Sequence, residues 1–179
     1  MSLRHAVLGL VNERPASGYE LMHSFNTSLV SVWPANQSQV YGELTKLAEA
    51  GLLSVSAEGP RGRKEYTITE AGRAELVHWL ADTEPNRVRR SEALLRVFFL
   101  GNLTNAQAID YMRQEGEIMD ARLEGLRTMA NTGDWDADGL AIYGRLVLEY
   151  GLRLMVMHNE WTEWAIAQLK ARQSSAAEG

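Results

Sequence analysis

The stretches NQSQVYGELTKLAEAGLL at residues 36–53 and GPRGRKEYTI at residues 59–68 decide the fold. The first predicts a helix that Asn36 can cap and that Gly51 can end. Residues 52–56 and the second stretch alternate apolar and polar side chains around a Gly/Pro-rich turn, which predicts a β-hairpin. The apolar residues of the helix recur at helical spacing and face a core; they are Val40, Leu44, Leu47 and Ala48.

Further helices precede and follow these two stretches. Residues 3–12 carry apolar side chains at helical spacing. A second helix is predicted to begin after Ser17, with Glu20 at capping-box spacing, and a fourth to begin after Thr69. The order helix–helix–helix–hairpin–helix is typical of a winged helix-turn-helix with a two-stranded wing. We therefore expect a winged-helix DNA-binding domain over residues 1–84.

The second half reads as helical throughout, so the predicted fold class is mainly α. Residues 85–90 are polar, with a proline and an arginine cluster, and are expected to form a linker. Residues 91–172 are expected to form a helical dimerisation domain. In it, Thr104 caps a long helix and the last helix runs over about residues 137–171. The small polar residues 173–179 are expected to form a flexible tail.

The composition narrows the class of function. The chain has 179 residues, no cysteine and a formal charge of −5, with 45% hydrophobic and 23% charged residues. These values are typical of a folded globular protein, and an acidic chain binds nucleic acid only through a local basic patch. The lack of cysteine excludes disulfides and thiolate metal sites. The sequence shows no export signal and no spanning segment, so we expect a soluble cytoplasmic protein without cofactor or metal.

Two groups of residues form a candidate DNA-binding face. Polar residues of the third helix point away from the core near its N-terminus, where a recognition helix contacts base edges. A basic hairpin tip can lie on the phosphate backbone or enter a minor groove. The alternative is that the polar helix side is an ordinary solvated face. The candidate residues are Ser38, Gln39, Tyr41, Gly42 and Lys46 on the helix and Arg61, Arg63 and Lys64 on the wing.

The last helix carries a row of large apolar residues at heptad a and d positions, which predicts helix pairing between two chains. This row is Tyr143, Val147, Tyr150, Leu154, Met157, Trp161 and Trp164. A second interpretation is a flat aromatic slot that stacks a planar effector. Its candidate residues, each also explained as core or surface, are Trp33, Arg153, His158 and Trp161.

Several stretches resemble the PadR family of bacterial transcriptional regulators. They lie in family order and at family spacing and cover nearly the whole first half. They are AVLGLV (6–11), PASGYEL (15–21), Trp33, SQVYGELTKLAEAGLL (38–53), RGRKEYTITEAG (61–72) and HWL (78–80). The second half, from SEALLRVFF (91–99), resembles more loosely the multi-helix C-terminal domain of the longer subgroup.

The resemblance implies a homodimer that binds a palindromic operator and represses transcription, often of detoxification or efflux genes. It also implies release by a small aromatic ligand in some members. Carried over by position, Gln39 and Tyr41 match the family's recognition-helix segment, and Arg63 and Lys64 match its basic wing. The family often has Pro after this Tyr, where the present chain has Gly42. An interior Gly costs roughly 1 kcal/mol of helix propensity relative to Ala and allows a closer approach to a DNA backbone.

Enzymatic function is not expected. The four histidines are scattered, and no zinc-protease, nucleophile-elbow, P-loop or dinucleotide motif occurs. The alternative in another class is a helical protein–protein adaptor with a winged-helix fold and no DNA binding. The acidic net charge favours the adaptor and the basic wing disfavours it. A third interpretation, a winged-helix family with helices on both sides of the DNA-binding domain, is disfavoured because the first predicted helix begins at Leu3.

Overall fold

The computed structural model describes residues 2–27, 29, 32–59, 63–86, 90–133, 135 and 140–177, and gives the backbone alone for residues 2, 57–59, 63, 140 and 173–177. The chain forms two compact units, Met1–Asn86 and Arg87–Gly179. The elements of the first unit are α1 (Ser2–Glu13), β1 (Ala16–Ser17), α2 (Gly18–Thr27), α3 (Gln37–Glu49), β2 (Leu53–Gly59), β3 (Arg63–Ile68) and α4 (Glu70–Ala81).

The first unit is a winged helix-turn-helix, as the sequence predicts. Its sheet has three strands rather than the expected two, in the order β1-β3-β2, with β1 antiparallel to β3. Ala16 of β1 lies opposite Tyr66, and both are buried. A strand of two residues is too short to show a period of two in the sequence, so the pattern could not reveal it. The sheet packs with the helices around one core, which includes Val7, Leu21, Phe25, Leu44 and Ile68.

Side chains close the helix ends as the sequence predicts. The Ser17 backbone N–H donates to Glu20 Oε2 at 2.8 Å, and the Glu20 N–H donates to Ser17 Oγ at 3.3 Å. This reciprocal pair is the expected capping box of α2. Thr69 caps α4 by accepting from the Gly72 N–H at 3.1 Å. Gly51 follows α3 with a φ of +71°, the left-handed conformation that favours glycine at a helix end.

The second unit is helical. Its elements are α5 (Glu92–Phe98), a 3₁₀ turn (Leu100–Asn102), α6 (Asn105–Thr132) and α7 (Leu140–Ala177). The expected end of the last helix near residue 171 is corrected, because residues 173–177 of the expected tail continue α7. No Gly or Pro occurs from residue 152 to residue 178, and Ala favours helix most among the residues. The sequence does not predict the 3₁₀ turn, because one glycine is its only helix-breaking residue.

Helices α6 and α7 pack antiparallel along their length. Asn105 Nδ2 donates to the Leu169 carbonyl at 3.0 Å at one end. Small residues bring the helices close elsewhere: a Cβ on Gly116 would lie 3.4 Å from Thr162 Oγ1, and a Cβ on Gly151 would lie 3.2 Å from a Leu126 methyl group. We call the α7 residues that face α6 the inner row; they are Leu148, Gly151, Thr162 and Leu169. On α6, the apolar side chains of Ile109, Met112, Met119 and Leu123 are buried.

Two kinds of feature are absent from the described ranges. No helix there combines the length and the apolarity that crossing a membrane requires. No group of three or more His, Asp or Glu side chains there could hold a metal ion.

Candidate nucleic-acid interface

Helix α3 has a buried apolar side and an open polar side. Val40, Leu44 and Leu47 are at most 1% exposed. They face α1, α2 and β2, the elements against which α3 packs. Together α2 and α3 form the helix-turn-helix, in which the second helix enters the major groove of DNA. The open side of α3 carries four predicted DNA contacts, Ser38, Gln39, Gly42 and Lys46.

The side chain of Gln39 takes part in the cap of α3. The Gln39 backbone N–H donates to Asn36 Oδ1 at 2.9 Å, and the Asn36 backbone N–H donates to Gln39 Oε1 at 3.0 Å. A bidentate contact with adenine uses both the oxygen and the amino group of Gln. Reading adenine in this way therefore requires Gln39 Oε1 either to release the Asn36 N–H or to accept from it and from the base together, whereas a single hydrogen bond from Gln39 Nε2 leaves the cap intact.

Lys46 has an anionic neighbour one turn earlier on the same helix. Its Nζ lies 2.8 Å from Glu43 Oε1, and the two side chains are 71% and 20% exposed. Glu43 was not among the predicted site residues, although the i,i+3 spacing of opposite charges is the signal that would have revealed the pair. An exposed ion pair contributes little free energy, so a phosphate can replace this carboxylate as the partner of Lys46.

Tyr41 lies at the rim of α3, next to α2 and β3. It is 40% exposed. Its ring lies against Gly18, the buried first residue of α2. Burial, and to a smaller extent the neighbouring Tyr41, raises the pKa of Tyr66 above its ordinary value. The position of Tyr41 at the edge of α3 is therefore accompanied by contacts that its own helix does not supply.

The β2–β3 hairpin forms the wing. Its register shifts between Ser56 and Gly59, and Gly59 lies opposite Arg63. Lys64 is exposed on β3. Arg61 and the side chain of Arg63 lie outside the described residues. Of the three predicted wing contacts, Lys64 is thus the one whose exposure the structure gives.

The predicted pairing row of α7 lies one residue before the inner row, and we call it the outer row. Leu154 and Trp161 are partly buried. The most exposed members of the outer row, at 44% to 66%, are Tyr143, Val147, Tyr150, Met157 and Trp164. Contiguous exposed apolar residues mark interaction sites, because leaving them in water is unfavourable.

The four residues predicted for an effector fall into two places. Trp33 belongs to the first unit and is 42% exposed. In α7, the His158 and Trp161 rings meet edge to face with their centroids 5.1 Å apart. Among the described residues, His158 Nε2 is a buried nitrogen without a hydrogen-bond partner. Arg153 Nε donates to Glu149 Oε1 at 2.8 Å, so this cation already has an anionic neighbour.

Comparison with known proteins places the chain in a family. Residues 7–78 match the family described as "Transcriptional regulator PadR-like family", and residues 89–170 match "Virulence activator alpha C-term". The negative transcriptional regulator PadR of Bacillus subtilis is 31% identical over 129 residues, which cover 70% of this chain and 71% of that protein. The chain belongs to the PadR-like family of transcriptional regulators. The resemblance seen in the sequence is thereby confirmed.

Solved structures of PadR match nearly the whole chain. Bacillus subtilis PadR in complex with operator DNA is 28% identical, with a TM-score of 0.82 over 94% of this chain and 99% of that one. The same protein in complex with p-coumaric acid is 27% identical, with a TM-score of 0.81 over 95% and 99%. The PadR winged-helix fold with a helical C-terminal domain is thus confirmed. Its family members are transcriptional regulators, and this chain is a DNA-binding regulator rather than the adaptor considered above.

Proposed function

We propose that this PadR family member acts in the cytoplasm as a homodimer that represses transcription by binding a palindromic operator. Each chain inserts α3 into the major groove and lays the wing on the phosphate backbone. Ser38 and Gln39 contact base edges, and Lys46 contacts guanine or phosphate. Tyr41 reaches a phosphate from the rim, and Gly42 admits the DNA backbone. The basic wing residues Arg61, Arg63 and Lys64 contact phosphates.

One observation carries this proposal. The open side of α3 is polar near its N-terminus, in a chain related to a PadR protein whose structure includes operator DNA. The repressor role is supported by the relative described as a negative transcriptional regulator, at 31% identity.

The outer row of α7 supports the homodimer. Two half-sites about 34 Å apart on one face of DNA require two recognition helices related by a twofold axis. The outer row offers a long apolar surface for the same surface of a second chain. Aromatic side chains dominate it, as they dominate the centres of stable interfaces.

We further propose that a small aromatic ligand releases the operator. A related PadR structure contains p-coumaric acid. Trp161 with His158 offers an aromatic contact in α7, Arg153 offers a charge for a carboxylate, and Trp33 offers a ring in the first unit. The second unit also has a groove of about 640 Å³, a volume suited to a small ligand, among whose lining residues are Leu103, Trp164 and Arg172. Ligand titrations of Trp161→Ala and Trp164→Ala distinguish the aromatic contact at Trp161 from the groove.

The experiment that tests operator binding begins with selection of bound fragments from genomic DNA. The selected site is then titrated by fluorescence anisotropy over a range of salt concentrations. We expect an inverted repeat, two chains for each duplex, and an affinity that falls steeply as salt rises. A site without twofold symmetry, or a single chain for each duplex, would rule out the dimeric mode. An affinity independent of salt would rule out the phosphate contacts.

A further inference from the structure

The motif PASGYEL contains a glycine whose backbone does not require one. Gly18 is the buried first residue of α2. Among the described glycines, Gly51 is the one with a positive φ, so the backbone of Gly18 is open to any L-residue. Ala forms helix better than Gly does. The absence of a side chain at this position must therefore be explained by space.

Tyr41 fills the space beside Gly18. A Cβ added to Gly18 would lie 2.7 Å from Tyr41 Cζ, 2.8 Å from Cε1 and 3.0 Å from the hydroxyl oxygen. Carbon atoms in favourable contact are about 3.5–4.0 Å apart, so a methyl group and the ring cannot both occupy these positions. The Tyr41 side chain is 40% exposed, whereas Gly18 is buried. If the two collide, the ring is the part that moves.

Tyr66 helps to hold the start of α2 beside this ring. It belongs to the buried core of the first unit and lies opposite Ala16 in the β1–β3 pair. Ala16 is two residues before Gly18, so this pairing fixes the start of α2 relative to β3.

We propose that Gly18, whose position the Ala16–Tyr66 pair fixes, forms a seat that holds the Tyr41 side chain at the rim of α3 and so directs its hydroxyl group to the operator backbone. Gly18 is then a positioning residue that acts on DNA binding through Tyr41. This inference rests on the proposed function, in which Tyr41 contacts a phosphate. A side chain held in its bound position loses less conformational entropy on binding, which raises the affinity.

The first test is Gly18→Ala in the full chain, with Gly9→Ala as its matched control. A Cβ on Gly9, in α1, would have no atom within 4 Å. We expect Gly18→Ala to weaken operator binding about tenfold, the loss of one hydrogen bond to a charged group. Its thermal midpoint should stay close to that of the parent. The Tyr41 ring signals in a ¹H–¹³C NMR spectrum should shift in Gly18→Ala and remain in place in Gly9→Ala.

The second test is a double-mutant cycle with Tyr41→Ala, which separates the seat from the fold. Once the ring is absent, Gly18→Ala should cause no further loss of affinity. An unchanged affinity in Tyr41→Ala would overturn the phosphate contact of the proposed function. Weak operator binding by Tyr41→Ala together with tight operator binding by Gly18→Ala would overturn the seat alone. Equal losses from Gly18→Ala in both backgrounds would also overturn it, because the substitution would then act independently of Tyr41.

Discussion

The two units distribute their apolar residues in opposite ways. Thirteen of the nineteen buried hydrophobic residues in the described ranges lie in residues 1–86. Fourteen of the twenty-one exposed large hydrophobic residues lie in residues 87–179. The first unit encloses a core made by helices and a sheet, whereas the second has one helix pair and the short α5, of which no described residue is buried.

This contrast shows which unit requires a partner. A winged-helix unit with its own core can hold the shape of α3 without help. The second unit leaves tyrosine, tryptophan and leucine side chains in water, which is unfavourable by about 25 cal/mol for each Å². We therefore expect the second unit to determine the state of association and the first to determine contact with DNA. Variants of both units test this division of roles.

The largest effect is expected from placing charges on the outer row. Tyr150→Glu with Met157→Glu introduces two carboxylates at positions that are about half exposed in the single chain. Each chain should still fold, but the dimer must bury unpaired charges, at a cost of about 3 kcal/mol or more. We expect the dimer dissociation constant, measured by analytical ultracentrifugation, to rise at least about 100-fold. Operator affinity should fall with it.

The control for this prediction is Glu163→Lys. Glu163 is exposed on α7 outside both rows. The Glu163→Lys substitution should leave the association of the two chains unchanged. In the parent and the control, the thermal midpoint should rise with protein concentration, as it does for a dimer. A charged variant that remains dimeric would show that the outer row is not the interface.

Removing the wing cations should have the next largest effect. Arg63→Ala with Lys64→Ala deletes two proposed phosphate contacts, so affinity should fall by similar factors on operator and random DNA. The slope of log K against log[salt] should become shallower by about 0.9 for each phosphate that the variant no longer neutralises. Arg113→Ala is the control, because Arg113 lies in α6 and pairs with Asp110 at 2.8 Å. A weakening confined to the operator would instead assign base reading to the wing.

A smaller and more selective effect is expected at Gln39. Gln39→Ala removes both the cap contact to Asn36 and the proposed contact to a base, whereas Gln39→Glu keeps an acceptor for the cap. Both variants should relax base preference at one position in each half-site, by about 1 kcal/mol or more. The measurement is selection from a randomised operator library. If Gln39→Glu keeps the base preference of the parent, the role of Gln39 is limited to the cap of α3.

The smallest effect is expected at Glu43. Glu43→Gln removes the carboxylate beside Lys46 Nζ and takes a negative charge from the face of α3. Operator affinity should rise about threefold, the scale of an exposed ion pair. The rise should be smaller when Lys46 is also changed to Ala. Weaker binding by Glu43→Gln would mean that the carboxylate holds Lys46 in its binding position or accepts a hydrogen bond from a cytosine.

Local patterns in the sequence predicted the helices of both units well. The capping boxes at Ser17 and Thr104 and the left-handed Gly51 were evident because each depends on residues within one turn. The strand β1 was missed because its pairing with β3 joins residues about fifty positions apart. The inner row was missed because Gly151 and Thr162 are small or polar, and hydrophobic periodicity does not reveal close contact made by small residues.

The candidate site was predictable as a surface but not in its contacts. Helical spacing correctly predicts that Ser38, Gln39 and Lys46 are exposed. Asn36 and Gln39 have the capping-box spacing that would have revealed the role of Gln39 Oε1 in the cap of α3, but spacing alone cannot show whether this side chain also contacts a base. The contact of Tyr41 with Gly18 depends on the angle between two helices, which local spacing does not fix.

The spacing of the two rows on α7 makes the length of this helix a constraint in its own right. One extra residue turns everything beyond it by about 100° relative to the part before it. Inserted after Leu146, it would bring Tyr150 to face Leu126 and Trp161 to face Gly116, where Gly151 and Thr162 now allow close approach. Such a chain would lose its internal helix pair and its outward apolar surface together. Point changes in α7 can be absorbed one at a time, whereas a single-codon insertion exchanges the inside of the unit with its outside.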